Sequence, residues 1–398
     1  LSAGERPGWG SDPPKNYQRG RKIYPGHRVQ IPNGRSRPLK KTGTVPAESD
    51  AIERRYMKRV CFYLILLLVV VFAFLSPVWT QKAGIFIDDV ATYAYPNAFF
   101  QARCLQEGIF PLWEPHTFMG ACPFYLRIDA APFYPLQILF GLLGDLQTPN
   151  SAYRSLIIWP VVIHYLIAAL GAFFLGRFWL KLNLPGSVVM GLVYALSVSL
   201  LGGMLNPPVL YSQAWFPWLV LPVVLYSENG LIRYLAGGAI TIAVFSPIWP
   251  VMTFHGFTLA ALVGGLSLLR LLKKRGITKF FRRLAGLAAM FFIGILISAP
   301  FWFSLFEGME YIRPFYPIDY EFITAGPRSV PPAYWSTIFL PELFSSVNFS
   351  HAWGLTVQAE LWLCEASLTR GFWLFLPGFL ALMYFIRKDS RSHPQRFW

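Results

Sequence analysis

From residue 61 onward the chain is written in long apolar runs separated by short polar breaks. The runs at 61–79, 156–178, 188–205, 212–226, 235–252, 254–269, 284–306 and 372–386 hold almost no charged residue. A helix rises about 1.5 Å per residue, so a run of roughly twenty residues crosses a hydrocarbon core about 30 Å thick. The pattern therefore predicts an all-α polytopic membrane protein with about eight transmembrane helices. The runs at 212–226 and 372–386 are short and contain proline, which predicts tilted, kinked or partly re-entrant segments.

Two longer stretches, 81–154 and 307–370, break this rhythm. In the first, Pro96, Pro111, Pro115, Pro123, Pro132 and Pro135 alternate with aromatic residues. That proline density forbids one long helix and predicts short amphipathic helices lying on the bilayer surface. The second stretch has the same texture. Two such loops on one face, above a helix bundle, predict a cavity that a lipid-borne substrate enters from the side.

Composition agrees with the pattern: 55% of residues are hydrophobic and only 14% are charged, which excludes an ordinary soluble enzyme. The net charge of +15 is unevenly placed. Residues 1–59 carry fourteen Lys or Arg against five acids, with scattered Pro and Gly and no apolar periodicity. They predict a flexible basic tail without a core, which either docks a partner protein or orients the chain and attracts anionic lipid. Residues 60–398 form the membrane domain.

With the amino terminus in the cytoplasm, Arg177, Lys181, Arg233, the cluster from Arg270 to Arg283 and the bases from Arg387 to Arg396 share the tail's side. Both termini are then cytoplasmic, as the positive-inside rule requires. The basic cluster reads as a topological anchor, not as a nucleic-acid surface. Of the four cysteines, Cys104 and Cys122 share one loop and could form a bridge in an oxidising compartment; otherwise all are unpaired buried thiols.

The chemistry concentrates on the other face. Asp88 and Asp89 come directly after the first apolar run. Two neighbouring carboxylates at a membrane exit can take a proton or hold a divalent cation, or can be simply solvated. His116 beside Glu114 is a weaker metal candidate, because no second histidine lies at ligand spacing. His164 and His255 fall inside predicted spans, where a hydrogen bond between helices accounts for them. Gly237, Gly238, Gly264 and Gly265 are expected as close-contact points between helices.

The first loop and several later segments carry a resemblance. Asp89 with Pro96 seven residues on, Gly108-Ile-Phe-Pro-Leu-Trp113, Phe118-Met-Gly120, Asp129 and Phe133-Tyr-Pro-Leu136 resemble the first outer loop of the YfhO-like family of bacterial membrane proteins. Weaker similarity continues through Ala214-Trp-Phe-Pro-Trp218, Ala299-Pro300 with Glu307, Leu340-Pro-Glu-Leu-Phe344, and Glu365 with Gly371. The family belongs to the GT-C class of glycosyltransferases, and its members run on with further helices, so the resemblance covers an N-terminal half.

The resemblance implies a multi-pass protein of the bacterial inner (cytoplasmic) membrane that moves a sugar from a polyprenyl-phosphate-linked donor on the outer face. Asp89, with Asp88 beside it, would be the catalytic base or would hold a divalent cation such as Mg or Mn. Arg127, Asp129, Trp113 and Glu365 would bind substrate, with Arg127 neutralising the departing phosphate. The alternative is a non-catalytic subunit with a GT-C-derived fold, docked into a larger membrane complex through residues 1–59.

Overall fold

A computed structural model describes residues 46–87, 89–116, 120, 123–127 and 130–309; the side chains of 46–52 and of Val198 are outside the description. The chain divides into two units, Leu1–Glu53 and Arg54–Trp398. Of the first, only the start of the first helix is described. The predicted eighth span, most of the second loop and the bulk of the tail lie outside the described residues.

Everything regular in the described part is helical, apart from one isolated bridge between Trp113 and Pro123. Helix α1 (Pro46–Phe74) begins before the predicted end of the tail, so residues 46–59 are helical. In the first loop lie α2 (Tyr95–Gln106) and α3 (Pro135–Leu143). The bundle continues with α4 (Pro149–Phe178), α5 (Leu184–Ala195), α6 (Pro207–Asn229), α7 (Ile232–Phe245), α8 (Pro250–Arg275), α9 (Ile277–Ile297) and α10 (Ala299–Met309). Six helical segments among the described residues are long and apolar enough to cross a membrane: Glu53–Phe74, Pro149–Phe178, Leu184–Leu205, Pro207–Asn229, Pro250–Arg275 and Ile277–Ile297. These describe an all-α membrane protein.

The helices begin and end several residues away from the apolar runs, and at two places the break between helices itself differs. The runs predict a break at 252–254, whereas α7 ends at Phe245 and α8 starts at Pro250. Proline at the first helical position has no N–H to lose, and Thr253 Oγ1 donates to the carbonyls of Ser246 and Trp249, closing the turn. Likewise the run at 284–306 is two helices. Pro300 has no N–H to continue the ladder of α9, so that helix stops at Ile297 and α10 restarts at Ala299 with the proline in its first turn, where no N–H is needed. Hydropathy is blind to both breaks because each is short and has apolar residues on both sides.

Helix α6 is the centre of the bundle and packs against α4, α7 and α8. It carries Pro217 and Pro222 in its interior, which would strand backbone carbonyls one turn earlier. The carbonyl of Gln213, four residues before Pro217, accepts from the Tyr194 hydroxyl on α5 at 2.7 Å. A neighbouring helix thus supplies the donor that proline removed. Against α4, the indole of Trp218 lies on Gly171 and donates to the Ile167 carbonyl at 2.8 Å.

The expected glycine contacts divide by position. A Cβ on Gly238 would collide with Met290 of α9, and one on Gly264 would stand 2.9 Å from Val223 Cγ1 of α6. Gly237 and Gly265 face open space, so in each pair only one glycine is a packing point. Gly286, which the apolar pattern does not single out, lies directly under the Tyr226 ring.

Candidate functional site

After α1 and the single turn Ser76–Trp79, the chain bends through 80–87 and then a π-helical turn, Val90–Ala94, leads without a break into α2. Asp89 stands at the head of this turn, half-buried. Its Oδ2 accepts a hydrogen bond from Asn206 Nδ2 at 2.9 Å. The other end of the same amide, Asn206 Oδ1, accepts from the Tyr93 hydroxyl at 3.1 Å. Asp89 and Tyr93 are four residues apart, so the helical turn presents both to one neighbour. Asn206 has a non-helical backbone, as a residue before proline prefers, and stands immediately before Pro207, the first residue of α6. Its side chain makes no capping bond to its own helix and serves the loop instead.

The remainder of the first loop folds back as a short ribbon. Phe124 N–H donates to the Leu112 carbonyl at 2.9 Å, and Trp113 bridges Pro123. Gly120, with φ +71°, passes beneath the Trp113 indole, and a Cβ there would come within 3.0 Å of the ring. Trp113 is itself exposed, so one face packs on the ribbon while the other stays open. Inside the ribbon Arg127 Nη1 donates to Glu114 Oε2 at 2.9 Å, with both side chains buried. Tyr125 donates to Glu307 of α10 at 3.0 Å, tying the ribbon to the far end of the described bundle.

Between the loop helices and the bundle lies a buried polar layer. Gln137 of α3 donates to Gln101 of α2 at 2.9 Å and to the Ala130 carbonyl at 2.7 Å, and Gln101 donates to the Pro132 carbonyl at 2.9 Å. Tyr134, at the head of α3, meets His164 Nε2 at 2.6 Å and accepts from Trp215 Nε1 at 2.8 Å. His164 Nδ1 stands 2.6 Å from the Pro160 carbonyl, which can only accept. The Nδ1 atom therefore carries the proton, and Nε2 receives the one from Tyr134. Burial is the largest reason that the Tyr134 phenol is held well above its ordinary range, with Tyr211 adding to it and the Trp215 bond opposing. A cavity of about 20 Å³ beside this layer is lined by Asn97, Gln137 and Tyr211, among others. This is far too small for a substrate, so the layer anchors the loop to the bundle.

The described members of the sequence-derived site are thus placed with different partners: Asp89 with Asn206, Arg127 with Glu114, Trp113 over Gly120. Asp88, Asp129 and Glu365 lie outside the described residues. Among the described residues no group of three or more His, Cys, Asp or Glu side chains could hold a metal ion. His116 is exposed, and His255 bonds the Val251 carbonyl of its own helix at 2.7 Å. Cys61 and Cys104 are free thiols, but Cys61 is exposed and Cys104 half-buried instead of both being buried, because Cys61 lies on an outward face of α1; Cys122 lies outside the described residues. Sequence reading passed over Tyr93 and Asn206. The one available signal was an Asn directly before two prolines at the start of an apolar run, a polar residue at a membrane boundary.

Comparison of the chain with protein-family models, with curated proteins and with solved structures returned no match.

Proposed function

We propose that this protein is a membrane glycosyltransferase of the GT-C kind, similar to the YfhO-like family, that takes a sugar from a polyprenyl-phosphate donor. The observation that carries the reading is the Asp89 carboxylate, held by Asn206 where the first loop meets the bundle. One carboxylate oxygen bonded to an amide fixes the group's orientation without neutralising it. In the reaction the acceptor hydroxyl oxygen bonds to the anomeric carbon while the bond from that carbon to the phosphate oxygen breaks. Asp89 takes the hydroxyl proton, and the polyprenyl phosphate leaves with the electron pair. The donor's chain has an apolar surface to follow: an open groove of about 450 Å³ between α1 and α4, lined by Leu68, Val69, Phe72, Trp79 and Leu166 among others.

A divalent cation such as Mg or Mn would have Asp89 as its one described carboxylate, so no step is routed through it. Arg127 is the cation proposed to meet the leaving phosphate, and its pairing with Glu114 means that it would approach while already bonded. The reading includes a bacterial inner-membrane location, eight spans, cytoplasmic termini and a first loop on the outer face. The spans rest on the hydropathy of the sequence, the sidedness on its charge distribution, and the bacterial inner membrane on the family resemblance. A second reading, a non-catalytic subunit of a larger membrane complex, is favoured by that commitment of Arg127 to the loop's own interior.

The test is native mass spectrometry of the protein gently extracted from its membrane, followed by transfer from a polyprenyl-phosphate-linked hexose in vesicles. The transferase reading expects a bound polyprenyl phosphate or sugar adduct, and transfer that Asp89→Asn abolishes while thermal unfolding stays unchanged. Stoichiometric protein partners released by deleting residues 1–48, with no such lipid, would mean a structural subunit. Transfer undiminished in Asp89→Asn removes Asp89 from the chemistry.

A further inference from the structure

The turn between α4 and α5 holds Lys181 in the left-handed backbone region, φ +57°, where glycine is the usual residue. Close by, Glu228 near the end of α6 lies within electrostatic reach of Lys181 and of Arg270 and Lys274 on α8. Three bases from two elements thus gather around one acid at one end of the bundle. Trp179, two residues before Lys181, packs with Phe174, Leu175, Tyr234 and Val263 on the Val220, Leu221, Val224 and Leu225 cluster of α6. Its indole N–H is buried with no acceptor among the described residues.

Helix α8 adds a direction to this patch. Leu262, Leu266, Arg270 and Lys274 succeed one another at intervals of four, a single row along the helix surface. The leucines are 63% and 50% exposed, so the row passes from bare hydrocarbon to fixed positive charge over two turns. An amphiphile with an anionic head and an apolar chain matches both halves. A soluble acidic segment would match only the upper one.

We infer that the end of the bundle formed by Trp179, Lys181, Arg270 and Lys274 binds the phosphate headgroup of an anionic phospholipid, whose acyl chain lies along Leu262 and Leu266. Bases near a membrane surface attract anionic lipid at a strength of about fivefold in affinity each. Glu228 offsets one of the three charges, and the net positive charge left around a defined turn concentrates that attraction at one place. The site rests on the membrane reading and is independent of the proposed sugar transfer.

The experiment is native mass spectrometry of the full chain ejected from nanodiscs holding equal amounts of phosphatidylglycerol and phosphatidylcholine. Phosphatidylglycerol is expected to be retained about tenfold or more over phosphatidylcholine. The triple variant Lys181→Gln, Arg270→Gln, Lys274→Gln is expected to lose that preference. A second triple, Arg275→Gln, Lys279→Gln, Arg282→Gln, removes as many charges from the neighbouring helix ends and is expected to keep it. Lys181→Gly, which relaxes the turn while deleting one base, is the variant most secure in folding and is expected to lower the preference about fivefold. Equal losses in both triples, or no loss in Lys181→Gly, would overturn the site. Displacement of the lipid by millimolar inorganic phosphate would overturn the phospholipid as its ligand.

Discussion

The Tyr134 hydroxyl and the His164 imidazole meet at 2.6 Å, a fully buried hydrogen bond between the head of a loop helix, α3, and the middle of the membrane helix α4. With Trp215 donating to the same hydroxyl, one phenol satisfies two elements of the bundle. Tyr134→Phe keeps the ring and removes the oxygen, stranding a donor on Trp215 and an acceptor on His164. A loss of about 2–4 kcal/mol is expected, since each orphaned buried group costs about 1–3 kcal/mol. Thermal unfolding in detergent, followed by tryptophan fluorescence, measures it; an unchanged midpoint would show that the loop is anchored elsewhere.

The same residue sets an alkaline limit. Burial raises the Tyr134 phenol well above its usual value, so the folded chain keeps a proton that the unfolded chain releases near pH ~10. The unfolded state then binds fewer protons, and stability contributed by this group is present below pH ~10 and falls as pH rises beyond it. Unfolding midpoints collected from pH 8 to about 11 should therefore drop less steeply in Tyr134→Phe than in the parent chain. Parallel slopes would contradict the assignment.

Arg127 and Glu114 pair at 2.9 Å with 9% and 6% of their side-chain surfaces exposed. Removing either partner leaves a charge with little water to solvate it. Arg127→Met or Glu114→Gln is expected to cost about 3–5 kcal/mol, and the double variant Glu114→Leu, Arg127→Met to recover part of that loss. Limited proteolysis of the first loop, with unfolding midpoints, distinguishes the singles from the double. Additive losses would mean that the two side chains do not act as a pair.

The adjacent glycines of α8 make a matched test of packing. Gly264→Ala places a methyl 2.9 Å from Val223 Cγ1 and is expected to destabilise, whereas Gly265→Ala meets nothing within 4 Å. The second should gain up to about 1 kcal/mol of helix propensity. Opposite signs in the two unfolding midpoints are the outcome to look for, and equal shifts would argue against the α6–α8 contact.

Cys104 is half-buried on α2, and its thiol is pushed above its ordinary value, first by burial and then by Glu107. Maleimide attack needs the thiolate, so labelling of Cys104 should lag that of an exposed free cysteine at pH 8 and catch up at higher pH. Glu107→Gln, by removing a like charge, should speed the reaction modestly. Site-resolved mass spectrometry reads both effects, and a rate unaffected by Glu107→Gln would leave burial as the sole cause.

Membrane class, helical content and the existence of most of the long helices were determined by the sequence alone, because twenty apolar residues in a row leave few other stable arrangements. Prolines were the exception in both directions. Pro250 and Pro300 divide what hydropathy joins, while Pro217 and Pro222 sit inside α6. For Pro217 the reason is tertiary: Tyr194, on another helix, supplies a donor to the Gln213 carbonyl. Asp89 was legible as a chemical candidate from its place after the first apolar run. Its orienting partner Asn206 lies 117 residues away, and only folding brings the two within 2.9 Å. Arg127 could be named as a cation, but whether it faces a ligand or a carboxylate depends on how the loop closes. The same holds for Gly264 and Gly265: composition marks both as small, and the rotation of α8 against α6 decides which one is pressed against a neighbour.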